Sequence, residues 1–187
     1  PQGLVAVAEK KEISENGFFS VSGGDFLVLD RIQDPGNMGT LIRTADAAGF
    51  SGAILVKGSV DPYSPKVVRA AAGSLFRLPM LIGLGAERAC ELLRTHGKNA
   101  FAAAMKAGLA YYDAPLSEDA AIIIGNEGGG ISEEMLRIAT PVSIPMAGRT
   151  ESLNAALAGG IIMFEALRQR AAAVKKTGKI RITGDRR

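Results

Sequence analysis

The sequence predicts an α/β domain, a mainly parallel sheet flanked by helices. Three observations carry that prediction. Short, almost wholly apolar runs recur along the chain, at 26–30, 53–56, 100–105, 121–125 and 142–144. A run without polar alternation reads as a strand buried on both faces, as in parallel sheets. Helical patterns separate the runs. Finally, segments rich in glycine, asparagine and small polar residues follow three of the runs directly, where open α/β sheets bind their ligands.

Taken in order, residues 1–24 hold an apolar run at 4–8 and a charged stretch, K-K-E-I-S-E-N-G, and read as a lead-in segment or linker. F-L-V-L-D at 26–30 is the first strand. Gly36-Asn37 leads into a helix over 38–48 with Met38, Leu41, Ile42, Ala45 and Ala48 on one face. Asn37 suits its N-cap, and Gly49 its C′ position. A strand at 53–56, a short helix at 65–72, an irregular or strand segment at 75–81 and a helix at 86–95 follow. Strands at 100–105 and 121–125 come next, and Ser132 caps a short helix reaching about 138. The last strand, 142–144, is stopped by Pro145, which has no N–H for a ladder. The longest helix runs from 152 to about 174. No internal repeat or low-complexity tract interrupts the pattern.

The 187 residues fit one domain with a sizeable core. No apolar run approaches the roughly 18–20 residues of a membrane helix. No signal peptide opens the chain, and its start at Pro1 points to a piece of a longer protein. A single cysteine, Cys90, leaves no internal disulfide or cysteine-based zinc site, which fits a reducing cytoplasm. The net charge of +3 is unevenly spread: residues 168–187 hold eight Lys/Arg and one Asp, leaving fourteen basic against eighteen acidic residues elsewhere. The basic pI therefore belongs to the end of the chain and does not argue for nucleic acid. The tail at 175–187 reads either as a phosphate-binding extension or as a solvated, flexible end.

Three loops follow strands and can converge on one sheet edge. The first, D-R-I-Q-D-P-G-N-M-G-T-L-I-R, turns at Asp34-Pro35-Gly36-Asn37 and places Arg43 within two helical turns of the strand end, facing the cleft or reaching solvent. The second, I-I-I-G-N-E-G-G-G-I-S, sets Gly125, Asn126 and Glu127 after a buried strand. Its glycines let a ligand approach the backbone, and it matches neither a Walker loop nor a dinucleotide fingerprint. The third, V-S-I-P-M-A-G-R-T-E-S-L-N-A-A-L-A-G-G, crowds Thr150, Glu151, Ser152 and Asn154 at a helix mouth. With His96 the only histidine, no metal set and no Ser-His-Asp or Cys-His arrangement is on offer. Such loops suit a small, largely uncharged ligand held by backbone groups.

Together the segments L-D-R-I-Q-D-P-G-N-M-G-T-L-I-R-T-A-D-A-A-G, I-I-G-N-E-G-G-G-I-S and I-P-M-A-G-R-T-E-S-L-N-A-A-L-A-G-G-I-I-M-F-E-A-L-R resemble, in order and spacing, the three motifs of the SpoU (TrmH) family of RNA ribose 2′-O-methyltransferases, in the SPOUT superfamily. The likeness runs over about 1–170. It implies a C-terminal trefoil knot, a homodimer with the active site at the subunit interface, and S-adenosylmethionine as cofactor. P-Q-G near the start resembles the linker that follows an N-terminal RNA-binding domain in many members, which would leave 25–174 as the methyltransferase domain.

By the same resemblance, Gly125, Ile144 and Leu153 match positions whose backbone surrounds the cofactor, with Asn126, Met146 and Ala104 as further contacts. Asn37, Arg43, Glu127, Ser152 and Asn154 match the family's polar positions. The implied chemistry is in-line attack of a ribose 2′-OH on a sulfonium methyl, which requires orientation and stabilisation of a developing alkoxide. Arg43 stays protonated, so its expected role is to bind phosphate and lower the hydroxyl pKa. Asn37 and Glu127 are expected to fix Arg43 and the loop, and Ser152 and Asn154 to shape the site. Ribosomal RNA is the expected substrate, with transfer RNA second. A non-turnover RNA- or nucleotide-binding module is the other reading, and a nucleotide-dependent oxidoreductase lacks its glycine fingerprint.

Overall fold

The structure is a computed structural model and describes residues 3, 7, 9, 10, 13–20 and 24–177. Most of the apolar run at 4–8 and residues 178–187 of the basic tail lie outside them. Six strands form one sheet: β1 (Phe26–Asp30), β2 (Gly52–Val56), β3 (Met80–Leu84), β4 (Asn99–Ala103), β5 (Ala120–Gly125) and β6 (Thr140–Val142). Their order is β3-β2-β1-β5-β4-β6, and every pairing between them is parallel. The expected mainly parallel sheet is present.

The helices are α1 (Glu15–Phe18), α2 (Pro35–Ala47), α3 (Pro65–Ala71), α4 (Ala86–Thr95), α5 (Glu133–Leu136) and α6 (Ala155–Thr177). Strand side chains alternate between the two faces, and β1 shows the result. Leu27 and Leu29 join the core of Leu41, Ile42, Val67 and Met163 under α2, α3 and α6. Phe26 and Val28 join Phe18, Cys90, Leu93 and Met135 under α1, α4 and α5. Burial on both sides is why these strands are continuous apolar runs. β6 tolerates Pro141 because it lies at the sheet edge and pairs only with β4.

The connection order decides where a ligand can bind. From β1 the chain winds outward through β2 to β3, then crosses to the far side of β1 with β4, and β5 inserts between β1 and β4. This reversal opens a crevice at the carboxyl ends of β1 and β5, the topological switch point of the sheet. Close packing seats α6 over that crevice, since a Cβ on Gly159 would lie 2.5 Å from Leu41 Cδ2. At the far end Arg170 pairs with buried Asp25 at 3.0 Å and donates to the Ala48 carbonyl. Part of the basic C-terminal region is thus structural.

Several sequence-based boundaries move. Helix α2 starts at Pro35, not Met38, because proline is pre-set for the first helical position and Asp34 accepts the Asn37 N–H at 2.7 Å. Asp34, not Asn37, is the cap. Residues 75–81 divide into a 3-10 turn at Ser74–Phe76 and the start of β3. β4 stops at Ala103, releasing Ala104 and Met105. Ser132 precedes α5, but its hydroxyl makes no capping bond; its N–H instead donates to Asp30 at 2.6 Å. The last strand is Thr140–Val142, and the long helix starts at Ala155 and extends to Thr177. Gly49 takes the left-handed C′ conformation expected of it, at φ 71°.

Candidate functional site

Three loops leave the carboxyl ends of β1, β5 and β6 and meet around one hydrogen-bonded line. Glu127 Oε1 accepts from Asn37 Nδ2 at 2.9 Å, and Asn37 Oδ1 accepts from Asn154 Nδ2 at 2.9 Å. The line continues into α6, whose first N–H groups, from Ala156 and Leu157, donate to Asn154 Oδ1. Asn154 is therefore the cap of α6 as well as a link between loops. Because Asp34 caps α2, the Asn37 side chain is released from capping and can join Glu127 to Asn154. Glu127 also accepts from the backbone N–H groups of Gln33 and Asp34, at 3.3 and 3.4 Å.

A second network supports the first from below. Asp30, wholly buried at the end of β1, accepts from Ser132 N and from Arg31 Nε at 3.1 Å. Asn126 donates from Nδ2 to the Arg31 carbonyl at 2.9 Å, and its Oδ1 accepts from Gly128 N and Gly129 N. Backbone bonds between Asn126 and Gly130 in both directions close the loop. A Cβ on Gly125 would lie 2.5 Å from the Gly130 carbonyl carbon, so only glycine admits this closure. The Asn126 side chain is committed to the loop, leaving mainly its backbone to meet a ligand.

Beside these networks lies a cavity of about 470 Å³, within the usual range for a small-molecule site. Its wall is largely apolar, from Ile124, Ile131, Leu136, Val142, Ile144 and Ile162. Every expected cofactor-contacting residue lines it: Ala104, Gly125, Asn126, Ile144, Met146 and Leu153. So do Glu127, Ser152 and Asn154. Residues 144–153 make no backbone hydrogen bond to any described residue, so their N–H and C=O groups are available to a ligand. An apolar slot edged by free backbone groups fits an adenosyl group, whose flat base needs apolar contact and whose edge needs hydrogen bonds.

Arg43 is the exception. It is exposed on α2, its side chain makes no hydrogen bond or ion pair within the described residues, and it does not line the cavity. Of the two placements left open by the sequence, the single chain takes solvent. The Asn37 and Glu127 side chains bond to each other, and neither has a hydrogen bond to Arg43. Asp30, Asp34, Leu136 and Ile162 also shape the site and were not among the site residues the sequence suggested. Only Asp34 carried a signal, as an Asp-Pro pair at a helix start.

Burial would raise the Glu127 pKa, but bonds from the Asn37 amide and from backbone N–H groups, including those of Gln33 and Asp34, outweigh it and hold the carboxyl below its ordinary 4.5. A depressed folded-state value means a stabilising contribution present above the unfolded pKa and lost as pH falls through the folded one. The Tm advantage of the native chain over Glu127→Gln should therefore stay level from about pH 7 to about pH 5 and fade below about pH 4.5. Scanning calorimetry of both chains across that range checks it. An advantage that grows on acidification would contradict the assignment.

A parallel sheet with an apolar cavity at the carboxyl ends of β4, β5 and β6, edged by free backbone groups and by polar side chains of the two loops after β5 and β6, has the features of a nucleotide- or cofactor-binding α/β protein. The chain belongs to the SpoU rRNA Methylase family, whose profile matches residues 25–164. It is 37% identical over 139 residues to the 23S rRNA (guanosine(2553)-2′-O)-methyltransferase RlmP of Bacillus subtilis, covering 74% of this chain and 56% of that protein. Against the 23S rRNA (guanosine-2′-O-)-methyltransferase RlmB of Vibrio parahaemolyticus it is 34% identical over 178 residues, covering 92% of this chain and 72% of that one. The crystal structure of an AdoMet-bound rRNA methyltransferase from Sinorhizobium meliloti superposes with a TM-score of 0.75 at 40% identity, covering 81% of this chain and 59% of that one. The chain spans little more than half the length of the Bacillus relative.

Proposed function

We propose that the chain carries an S-adenosylmethionine-dependent RNA ribose 2′-O-methyltransferase site, with ribosomal RNA as the first substrate and transfer RNA the alternative. The carrying observation is the cavity lined by the second and third motif loops, to which the first is tied through the hydrogen bonds of Asn37 with Glu127 and Asn154. Family membership and the rRNA 2′-O-methyltransferase relatives support the reaction class. The proposed catalytic unit is 25–174, acting in the cytoplasm.

When bound, the cofactor supplies an electrophilic methyl group on a sulfonium. The chain's own residues do the rest. Backbone groups of Gly125, Ile144 and Leu153 hold the adenosyl and methionyl parts, and the apolar wall excludes water. Ser152 and Asn154 edge the opening where a ribose enters. Arg43, permanently charged, binds an RNA phosphate and stabilises the developing alkoxide electrostatically, the proton passing to water.

This arrangement needs a second copy of the chain, because Arg43 lies outside its own cavity. Between α2 and α6 runs a groove lined by Thr40, Thr44, Leu157, Ile161 and Phe164, with Leu157 55% and Phe164 49% exposed. Two copies joined here bury that apolar surface and carry each Arg43 toward the partner's cavity. We also propose the trefoil knot that the resemblance implies, formed by the C-terminal segment leading into α6. Replacing Leu157 and Phe164 together with glutamate should give a folded monomer by sedimentation velocity, with methyl transfer lost. A dimer that persists would move the interface elsewhere.

Isothermal titration of S-adenosylmethionine into the full chain tests the cofactor reading. Micromolar affinity is expected, and absence of binding to a folded dimer would favour the non-catalytic module.

A further inference from the structure

The charges lining the cavity are one-sided. Its lining includes two carboxylates, Glu127 and Glu151, and no lysine or arginine. The two are not equivalent. Both oxygens of Glu127 are taken by N–H groups of Gln33, Asp34 and Asn37. Glu151 is exposed to the cavity mouth and makes no hydrogen bond or ion pair with any described residue. It sits in the 144–153 stretch that makes no backbone bonds, so nothing inside the chain accounts for its placement.

Resting on the cofactor reading above, we infer that Glu151 is a charge-selectivity residue, biasing the cavity toward S-adenosylmethionine and against its demethylated product. The two ligands differ by one methyl group and by one unit of charge. In the transfer, the methyl C–S bond breaks with its electron pair left on sulfur, a C–O bond forms, and the hydroxyl proton leaves. The sulfonium becomes a neutral thioether. S-Adenosylmethionine, with sulfonium, ammonium and carboxylate, is a net cation, whereas S-adenosylhomocysteine is a neutral zwitterion. A free carboxylate at the cavity mouth attracts the first more than the second, and that attraction lapses when the methyl group has gone. Glu151 thereby favours loading of fresh cofactor and release of the spent one. Solvent at the mouth screens the interaction, so the effect is modest.

The test is isothermal titration of three ligands into the native chain and into Glu151→Gln: S-adenosylmethionine, S-adenosylhomocysteine, and sinefungin, which carries an ammonium near the sulfonium position. Glu151→Gln should bind the methylated cofactor and sinefungin about fivefold more weakly and S-adenosylhomocysteine within about twofold of native. The difference should shrink as KCl rises from about 0.05 to about 0.5 M. Unchanged binding of S-adenosylhomocysteine itself reports an intact cavity. Equal weakening of all three ligands, or of none, overturns the inference while leaving the cofactor reading in place. A native chain that binds none of them overturns the cofactor reading and the inference with it.

Discussion

Replacing Arg43 with alanine should lower single-turnover methyl transfer by about 100-fold or more and leave the affinity for S-adenosylmethionine within about twofold. The split follows from position. Arg43 does not line the cavity and its side chain has no hydrogen bond in the Glu127–Asn37–Asn154 line, so removing it disturbs no proposed cofactor contact. Its charge acts only once RNA is bound. Lysine at 43 restores part of the rate, since a point charge replaces the planar fork that pairs with phosphate. Methyl transfer by Arg43→Ala within about threefold of native would remove Arg43 from the mechanism.

The second large effect is expected at Glu127. Truncation to alanine strips the acceptor from three donors, the N–H groups of Gln33 and Asp34 and the amide of Asn37. Donors at the solvent edge recover water, but the Asn37 amide, on a residue only 9% exposed, does not. An unsatisfied buried donor costs about 1–3 kcal/mol. A stability loss of about 2 kcal/mol is expected in chemical denaturation. Cofactor affinity should fall tenfold or more, because loops 33–37 and 126–130 lose their shared anchor. Asn37→Ala should give much the same loss, and the double variant little more. That non-additivity, about 1–2 kcal/mol of coupling, marks one interacting unit. Additivity within about 0.3 kcal/mol would mean that the two side chains act separately.

Much of this architecture was legible before any coordinates. Runs such as 26–30 and 121–125 could be assigned as doubly buried strands because no polar residue interrupts them, and the sheet confirms both. The three loops could be brought to one edge because each follows a strand. Local pattern could not decide the duty of a residue with two plausible ones. Asn37 and Asp34 both suit a helix start; which one caps depends on Pro35 opening the helix, and what the freed amide does depends on Glu127, ninety residues away. Asp30 looked like a strand end. Its burial and its bond to Ser132 N exist only because β1 and β5 lie side by side. Arg43 was ambiguous for a different reason: a single chain contains only half of the surroundings proposed for it.

The central claim is tested most directly by giving the full chain S-adenosylmethionine labelled in the methyl group, together with unmodified 23S ribosomal RNA, and digesting the product to nucleosides. Label in a single 2′-O-methylnucleoside, abolished by Arg43→Ala, is the predicted result. Label on a base, or none in any RNA offered to a dimer that binds the cofactor, would contradict it.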